Sequence, residues 1–381
     1  MPTLDTLTPD QDSIDDEAPW RPPVARRPAP VAHPRLDPAA LAAQLTVLVP
    51  AYNEGASLGD TLRSLLAQTV RVAEIVVIDD CSTDDTAAIA RALGVRVLTP
   101  PANTGCKAGA QNFALAHVDT AFTMAVDADT TLAPDAIERL LRVFADPGVA
   151  AACGLVLPRH VRTIWERGRY VEYLFAFTFY KQVQDYYGAP LIASGCFSAY
   201  RTDVLRAQGG WNTRTLAEDM DLTWSLYRAG HTVRFVHDAV CYPVEPHDWS
   251  FLHKQLKRWS HGFVQNVRLL GRGLLDVPYQ RSAVAVSVWD ATVAALVYLF
   301  LLPVLAVVLR DPRWLLGYVL DLPALAIPVL VGARRRGEVG RALASLPAFL
   351  VIRVVNAVFF MRAAWSEWVL GRTFRIYEKG H

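Results

Sequence analysis

The sequence is short of cysteine and has no dominant sign of charge. Its five cysteines (Cys81, Cys106, Cys153, Cys196 and Cys241) are odd in number, scattered and never spaced as CxxC. That pattern argues against a zinc ribbon or a disulfide-stapled fold and fits a reducing compartment. The formal net charge is +1, so no global basic field exists and nucleic acid is not the expected partner. No secretory pattern is read in the opening residues. No Ser–His or Cys–His pairing points to a covalent enzyme intermediate.

What is abundant is apolar, at 52% of residues. It is unevenly placed. Residues 1–40 hold nine prolines, an acidic run (Asp12, Asp15, Asp16, Glu17) and a basic run (Arg21, Arg26, Arg27), a composition expected to stay disordered. Residues 283–309 carry one charge, Asp290, over a length that crosses a hydrocarbon core of about 30 Å. A second run, 314–333, ends at Arg334–Arg336, and a third, 342–361, is interrupted by Arg353 and Asn356. An integral membrane region of two to three helices is therefore expected over 283–381. The arginine cluster places the polar middle of the chain in the cytoplasm. A third crossing would put Arg372, Arg375 and Lys379 outside, so that run is a candidate to lie along the membrane instead. Asp290, Asp321 and Arg353 sit in or beside apolar runs, where charges face a cavity or one another, and a glycan or lipid path is one reading.

Between 41 and 275 the pattern is α/β. LTVLVP, EIVVIDD, VRVLTP and AFTMAVDAD read as strands; SLGDTLRSLLAQ (Ser57 as N-cap), TDDTAAIARALG and PDAIERLLRVFA (Pro134 in its first turn) read as helices. Such alternation implies a mostly parallel sheet, with ligands beyond the carboxyl ends of the strands. The polar residues collect there: Tyr52, Asn53 and Glu54; Asp79 and Asp80; Asp127 and Asp129. Each Asp alone is an ordinary turn residue, but three strands delivering acids to one edge exceeds what turns need. A paired Asp127 and Asp129 suits Mg²⁺ or Mn²⁺, which takes one or two carboxylates and fills its sphere with phosphate oxygen and water. NTGCKAGAQN (103–112) adds small residues and Lys107, without being a P-loop. A nucleoside diphosphate bridged by a metal is the ligand so described.

VPAYNE, VIDDCSTDDT, NTGCKAGAQN, VDADT, SGCFSAYR, LAEDMDLTW and QLKRW occur in the order of the inverting family 2 glycosyltransferases of GT-A fold. The chain most resembles their membrane-bound, often processive branch, the chitin, hyaluronan, cellulose and poly-N-acetylglucosamine synthases. The resemblance implies a UDP-sugar donor (glucose or N-acetylglucosamine), a β-linked product and a possible role in polysaccharide synthesis. It implies that Asp80 meets the uracil beside Tyr52 and Glu54, that Lys107 contacts the diphosphate, and that Asp127 and Asp129 hold the metal and donor. Asp219 matches the general base, next to Glu218. Gln255, Arg258 and Trp259 match QxxRW, which caps the nucleotide, with Trp259 also stacking on the acceptor. Ser194, Gly195 and Cys196 fall in the acceptor loop.

QLKRW lies in an expected amphipathic helix, 249–270, at the membrane surface, with His253 and His261 read as interfacial. The aromatic stretch 170–180 is read as core or membrane-facing rather than as a sugar platform. Departures are Cys81 for the usual Gly, Cys106 within NxGK, Leu256 where some members carry Arg, and few membrane helices for a glycan channel, which self-association could complete. Transfer of one sugar to a lipid phosphate or a protein is the alternative. A sugar-1-phosphate nucleotidyltransferase leaves AED, QLKRW and the apolar helices unexplained, and a non-catalytic sensor leaves the filled catalytic positions so.

Overall fold

The computed structural model describes residues 37–274 and 278–374. Most of the segment expected to be disordered lies outside them. Its end does not conform: α1 (Pro38–Ala42) forms there, because Asp37 caps it, its carboxylate accepting from the Ala39 N–H at 3.0 Å. Tail residues Arg375 and Lys379 also lie outside the described residues.

Eight strands make one sheet, in the order β3-β2-β1-β4-β7-β6-β8-β5. The first half is β1 (Leu45–Ala51), β2 (Glu74–Asp79), β3 (Arg96–Leu98) and β4 (Phe122–Val126), all parallel. β1 and β4 are apolar runs buried almost throughout, as strands covered on both faces must be. α2 (Leu58–Leu66), α3 (Thr86–Ala92) and α4 (Lys107–Leu115) supply the crossovers. α2 buries Leu58, Leu62 and Leu65, one face of a helix, each worth about 1.5–3 kcal/mol of apolar burial. Ser57 stands at its N-cap position, but its hydroxyl donates to Glu54 Oε2 at 2.8 Å instead of capping the helix. Likewise α5 starts after Pro134, at Ala136, and runs to Leu141.

The second half is mixed, which strand–helix alternation does not predict. β5 (Thr130–Leu132), β6 (Val149–Val156), β7 (Phe197–Arg201) and β8 (Thr232–Pro243) include antiparallel pairs. That reversal builds the site. Because β7 runs against β4, Phe197 pairs with Val126 and the loop before β7 lands beside Asp127. Because β5 pairs antiparallel with β8, the residues after Pro243 return beside Asp129.

Helices α6 (Ile164–Phe175) and α7 (Lys181–Tyr186) are joined by a π-helical turn, Ala176–Tyr180. After α8 (Thr202–Ala207) and α9 (Glu218–Arg228) comes α10 (Trp249–Leu274), whose amphipathic pattern runs the length predicted and slightly beyond. Then α11 (Pro278–Leu296), α12 (Leu302–Val308), α13 (Leu322–Arg335) and α14 (Val339–Ala364) complete the chain. Among the described residues, three stretches are long and apolar enough to cross a membrane: Tyr279–Val308, Pro312–Arg335 and Val339–Val369. Their exposed leucines and valines, such as Val307 and Leu320, suit lipid contact.

The third stretch is also a docking surface for the α/β domain. Gly168 of α6 faces the Ala348 carbonyl and the Ile352 side chain of α14, where an added Cβ would lie 3.0 Å from the Ala348 carbonyl. Asp321 and Arg353 face each other at 2.5 Å, beside Tyr298. The side chain of Asp290 lies outside what is described.

Replacing Gly168 with Leu should separate α6 from α14. Overpacking of this kind costs about 1–3 kcal/mol, so the unfolding midpoint in detergent should fall by several degrees, and Gly168→Ala by less. An unchanged midpoint for Gly168→Leu would show that the two helices are not closely packed.

Candidate active site

A cavity of about 740 Å³ opens at the carboxyl ends of β1, β2 and β4. Tyr52, Glu54, Asp80, Lys107, Asp127, Asp129, Ser194, Gly195, Cys196, Glu218, Asp219, Gln255, Arg258 and Trp259, the fourteen residues singled out from the sequence, all line it.

The floor is made by loops zipped to one another. Asn53 Oδ1 accepts from the Thr83 N–H at 2.8 Å, and the Glu54 N–H donates to Thr86 Oγ at 2.8 Å. Asp80 is buried, and its two oxygens accept from the Thr104 N–H (2.8 Å) and hydroxyl (2.9 Å), which ties the Lys107 loop to β2. Cys81 adopts φ +64°, a left-handed conformation that disfavours a side chain, so its replacement of glycine is tolerated at a cost of about 1–2 kcal/mol.

Lys107, the first residue of α4, ion-pairs with Asp127 and donates to the Gly195 carbonyl at 3.0 Å, with Glu218 3.8 Å away. In the preceding amide, the Gly195 N–H donates to Asp219 Oδ2 at 2.9 Å. A Cβ on Gly195 would stand 3.0 Å from the lysine Nζ and 3.3 Å from the Asp219 carboxylate, so only glycine fits without displacing one of them. Asp129 accepts from the Thr130 hydroxyl at 3.1 Å, and its carbonyl accepts from the Val244 N–H.

Asp127 and Asp129 are hard oxygen donors. No group of three His, Cys, Asp or Glu suited to a metal occurs among the described residues. Two carboxylates fit a Mg²⁺ or Mn²⁺ that draws its other ligands from a diphosphate and water, and do not fit a cation caged by protein alone. Lys107 neutralises Asp127 in the structure described.

α10 forms the roof. Gln255 is buried against the cavity, and its Oε1 has no hydrogen-bond partner among the described residues. The Trp259 ring is stacked by the Arg169 guanidinium, 4.4 Å from its centroid. Arg169 is fully buried, ion-paired with Glu172 (2.6 Å) and Glu245 (3.3 Å) and bonded to Tyr173, whose hydroxyl donates to Glu245 at 2.7 Å. Asn356 of α14 donates to Glu172 at 3.3 Å, so the network reaches the third apolar helix. Sequence reasoning missed this cluster. Its signal was there: Arg169 and Glu172, three residues apart, within an aromatic helix.

Two readings are corrected. The aromatic stretch is cavity wall as well as core, since Tyr173, Phe177 and Tyr180 line it. His261 is buried and bonded to Glu367 at 3.0 Å instead of standing at an interface, because the chain's last helical turn folds back over α10.

The fold, a mostly parallel sheet with its cavity at the carboxyl edge, is of the GT-A type. A family model described as glycosyltransferase-like family 2 matches residues 42–262. The chain belongs to that family, and it is a glycosyltransferase. It is 28% identical over 222 residues to poly-β-1,6-N-acetyl-D-glucosamine synthase of Staphylococcus aureus strain COL, over 57% of this chain and 54% of that one. The same identity holds over 223 residues with the Staphylococcus epidermidis synthase. The chain thus spans about half the length of the curated relatives it matches. Among solved structures, a mannosyltransferase of Pyrobaculum calidifontis, in complex with GDP-mannose and Mn²⁺, shares the fold at TM-score 0.58 and 21% identity, covering 86% of this chain and 87% of that one.

Burial pushes Glu218 above the usual carboxylate range; Lys107 opposes this and Asp219 reinforces it. Below the unfolded value of about 4.3 both states hold the proton. As pH rises past it, the unfolded chain ionises first, so Glu218 subtracts stability until its folded value is passed. Glu218→Gln should therefore gain on the parent in unfolding temperature as pH is raised from about 4. A pH-independent difference would show that Glu218 titrates normally.

Proposed function

We propose that the chain is an inverting transferase that moves glucose or N-acetylglucosamine from a UDP-sugar to an acceptor held at a membrane surface, with a β-linked product. The convergence of Lys107 and Asp219 on the backbone of one residue, Gly195, carries the reading. A cation suited to phosphate is held by its carbonyl and a carboxylate base by its N–H, in the two successive amides that flank its Cα.

In the reaction the acceptor hydroxyl attacks the anomeric carbon as the UDP leaves from the opposite side. Asp219 takes the hydroxyl proton. The leaving diphosphate gains charge, which Lys107 and Arg258 offset. Asp127 and Asp129 would hold a Mg²⁺ or Mn²⁺, which supplies further charge neutralisation when bound. Asp80, Tyr52 and Glu54 would receive the base and ribose, Gln255 would close over the nucleotide, and Trp259, held by Arg169, would stack on the acceptor. Ser194, Gly195, Cys196 and Glu218 would border it. Arg334–Arg336 next to the second apolar stretch support a cytoplasmic catalytic domain.

Two acceptors compete. The staphylococcal relatives favour a growing glycan. Three apolar stretches leave few helices for a glycan channel, which favours transfer of a single sugar.

Asp219→Asn should keep Mn²⁺-dependent UDP binding and lower transfer by about 10²–10⁴-fold, the range of a general base. Turnover near that of the parent would remove Asp219 from this role. Supplying UDP-N-acetylglucosamine or UDP-glucose to the protein in nanodiscs, and sizing the labelled product, separates the acceptors. A ladder indicates a polymer; one discrete lipid-soluble product indicates single transfer.

A further inference from the structure

Lys181 opens α7 and lines the cavity, yet it is only 7% exposed. Its Nζ donates to Ser194 Oγ at 2.9 Å and lies 4.6 Å from the Phe177 ring centroid and 5.5 Å from that of Phe235. Among the described residues, no ion pair to a carboxylate is formed within 4.0 Å of it. Asp185, one turn on, is committed to Arg234 at 2.8 and 3.1 Å. The thiols of Cys153 and Cys241, which feel the lysine's charge, are held protonated by burial and supply no counter-charge.

Burying an ammonium without an anion costs several kcal/mol. One hydroxyl and two ring faces return only about 1–3 kcal/mol. A neutral glycan would add dipoles but no charge. An anion entering the cavity at Ser194 would complete the pairing.

The setting indicates where that anion comes from. The helical segment carrying Lys181 leans on all three apolar stretches. Tyr180 reaches Ser287 at 3.4 Å, Thr178 faces Gly332, and Gly168 faces Ala348. Between Lys181 and those helices the cavity wall is aromatic, with Phe177 and Tyr180.

We propose that this end of the cavity is an acceptor subsite for a phosphate group borne on an apolar membrane chain, with Lys181 and the Ser194 hydroxyl as its donors; the phosphate's P–OH is then the attacking hydroxyl, its oxygen bonding the anomeric carbon as the bond to UDP breaks and its proton passing to Asp219. This rests on the transferase reading and names the acceptor class for it.

The test uses the full chain in detergent, with geranylgeranyl phosphate, geranylgeraniol and glycerol 3-phosphate as probes, and binding followed by native mass spectrometry. The parent should bind the lipid phosphate at least about tenfold more tightly than the alcohol, as one charge-assisted hydrogen bond allows. Lys181→Met should reduce that ratio to near one, and Lys181→Arg should keep it. Monodisperse elution and an unchanged unfolding midpoint for Lys181→Met exclude misfolding; if it misfolds, Ser194→Ala, expected to lower the ratio severalfold, takes its place. Equal binding of phosphate and alcohol by the parent, or a preserved ratio in Lys181→Met, overturns the proposal. Binding of glycerol 3-phosphate as tight as that of the lipid overturns the membrane source. Loss of UDP binding in Lys181→Met overturns it as well, by moving the lysine to the donor diphosphate. Absence of sugar transfer with these binding results intact would instead count against the transferase reading.

Discussion

The peptide between Ser194 and Cys196 is the constraint on which the rest of the site depends. Its carbonyl holds Lys107, its N–H holds Asp219, and the side chain before it holds Lys181. Each of these groups comes from a different helix, α4, α9 and α7. Backbone dipoles hold these groups in fixed places, the carbonyl toward the lysine and the N–H toward the carboxylate. The absence of a Cβ at Gly195 lets both approach the face where a side chain would stand.

The antiparallel half of the sheet exists, in functional terms, to deliver that peptide. Were β7 parallel to β4, the loop before it would emerge at the amino end of the sheet, far from Asp127. The reversal instead brings the Cys196 carbonyl to the Asp127 N–H at 3.3 Å. β5 and β8 do the same for Asp129 and Glu245, so Glu172 and Glu245, the carboxylates that hold Arg169, share a wall with Asp127 and Asp129.

How much of this was legible follows from the range of each interaction. The parallel half was readable because buried strands are continuous apolar runs with turn acids at their ends, a local signal. That these residues share one cavity was readable because short motifs surround them in a fixed order. What escaped depends on pairing distant in sequence. β6 and β8 carry no alternation that announces their direction, and Arg169 meets Glu245 across 76 residues. The aromatic stretch misled because Phe and Tyr have the same composition in a core, at a lipid surface or on a cavity wall. Only the π-helical turn, which shifts the register of Phe177 and Tyr180, decides among them. His261 misled for a similar reason: its partner Glu367 arrives from the far end of the chain.

The coupling of catalytic and membrane parts follows from the same geometry. Trp259 is stacked by Arg169, Arg169 is held by Glu172, and Glu172 takes a hydrogen bond from Asn356 in an apolar helix. A polar residue within a lipid-facing stretch is expensive unless it is satisfied by a partner. Here the amide nitrogen has Glu172 of the cavity wall as its partner, while its Oδ1 has none among the described residues, so the asparagine that interrupts the third apolar run is half-satisfied by the wall it packs on. The interruption that made this run look a poor membrane span is thus the point at which the span grips the active site. The polar side chain is tolerated because it faces α6 instead of lipid.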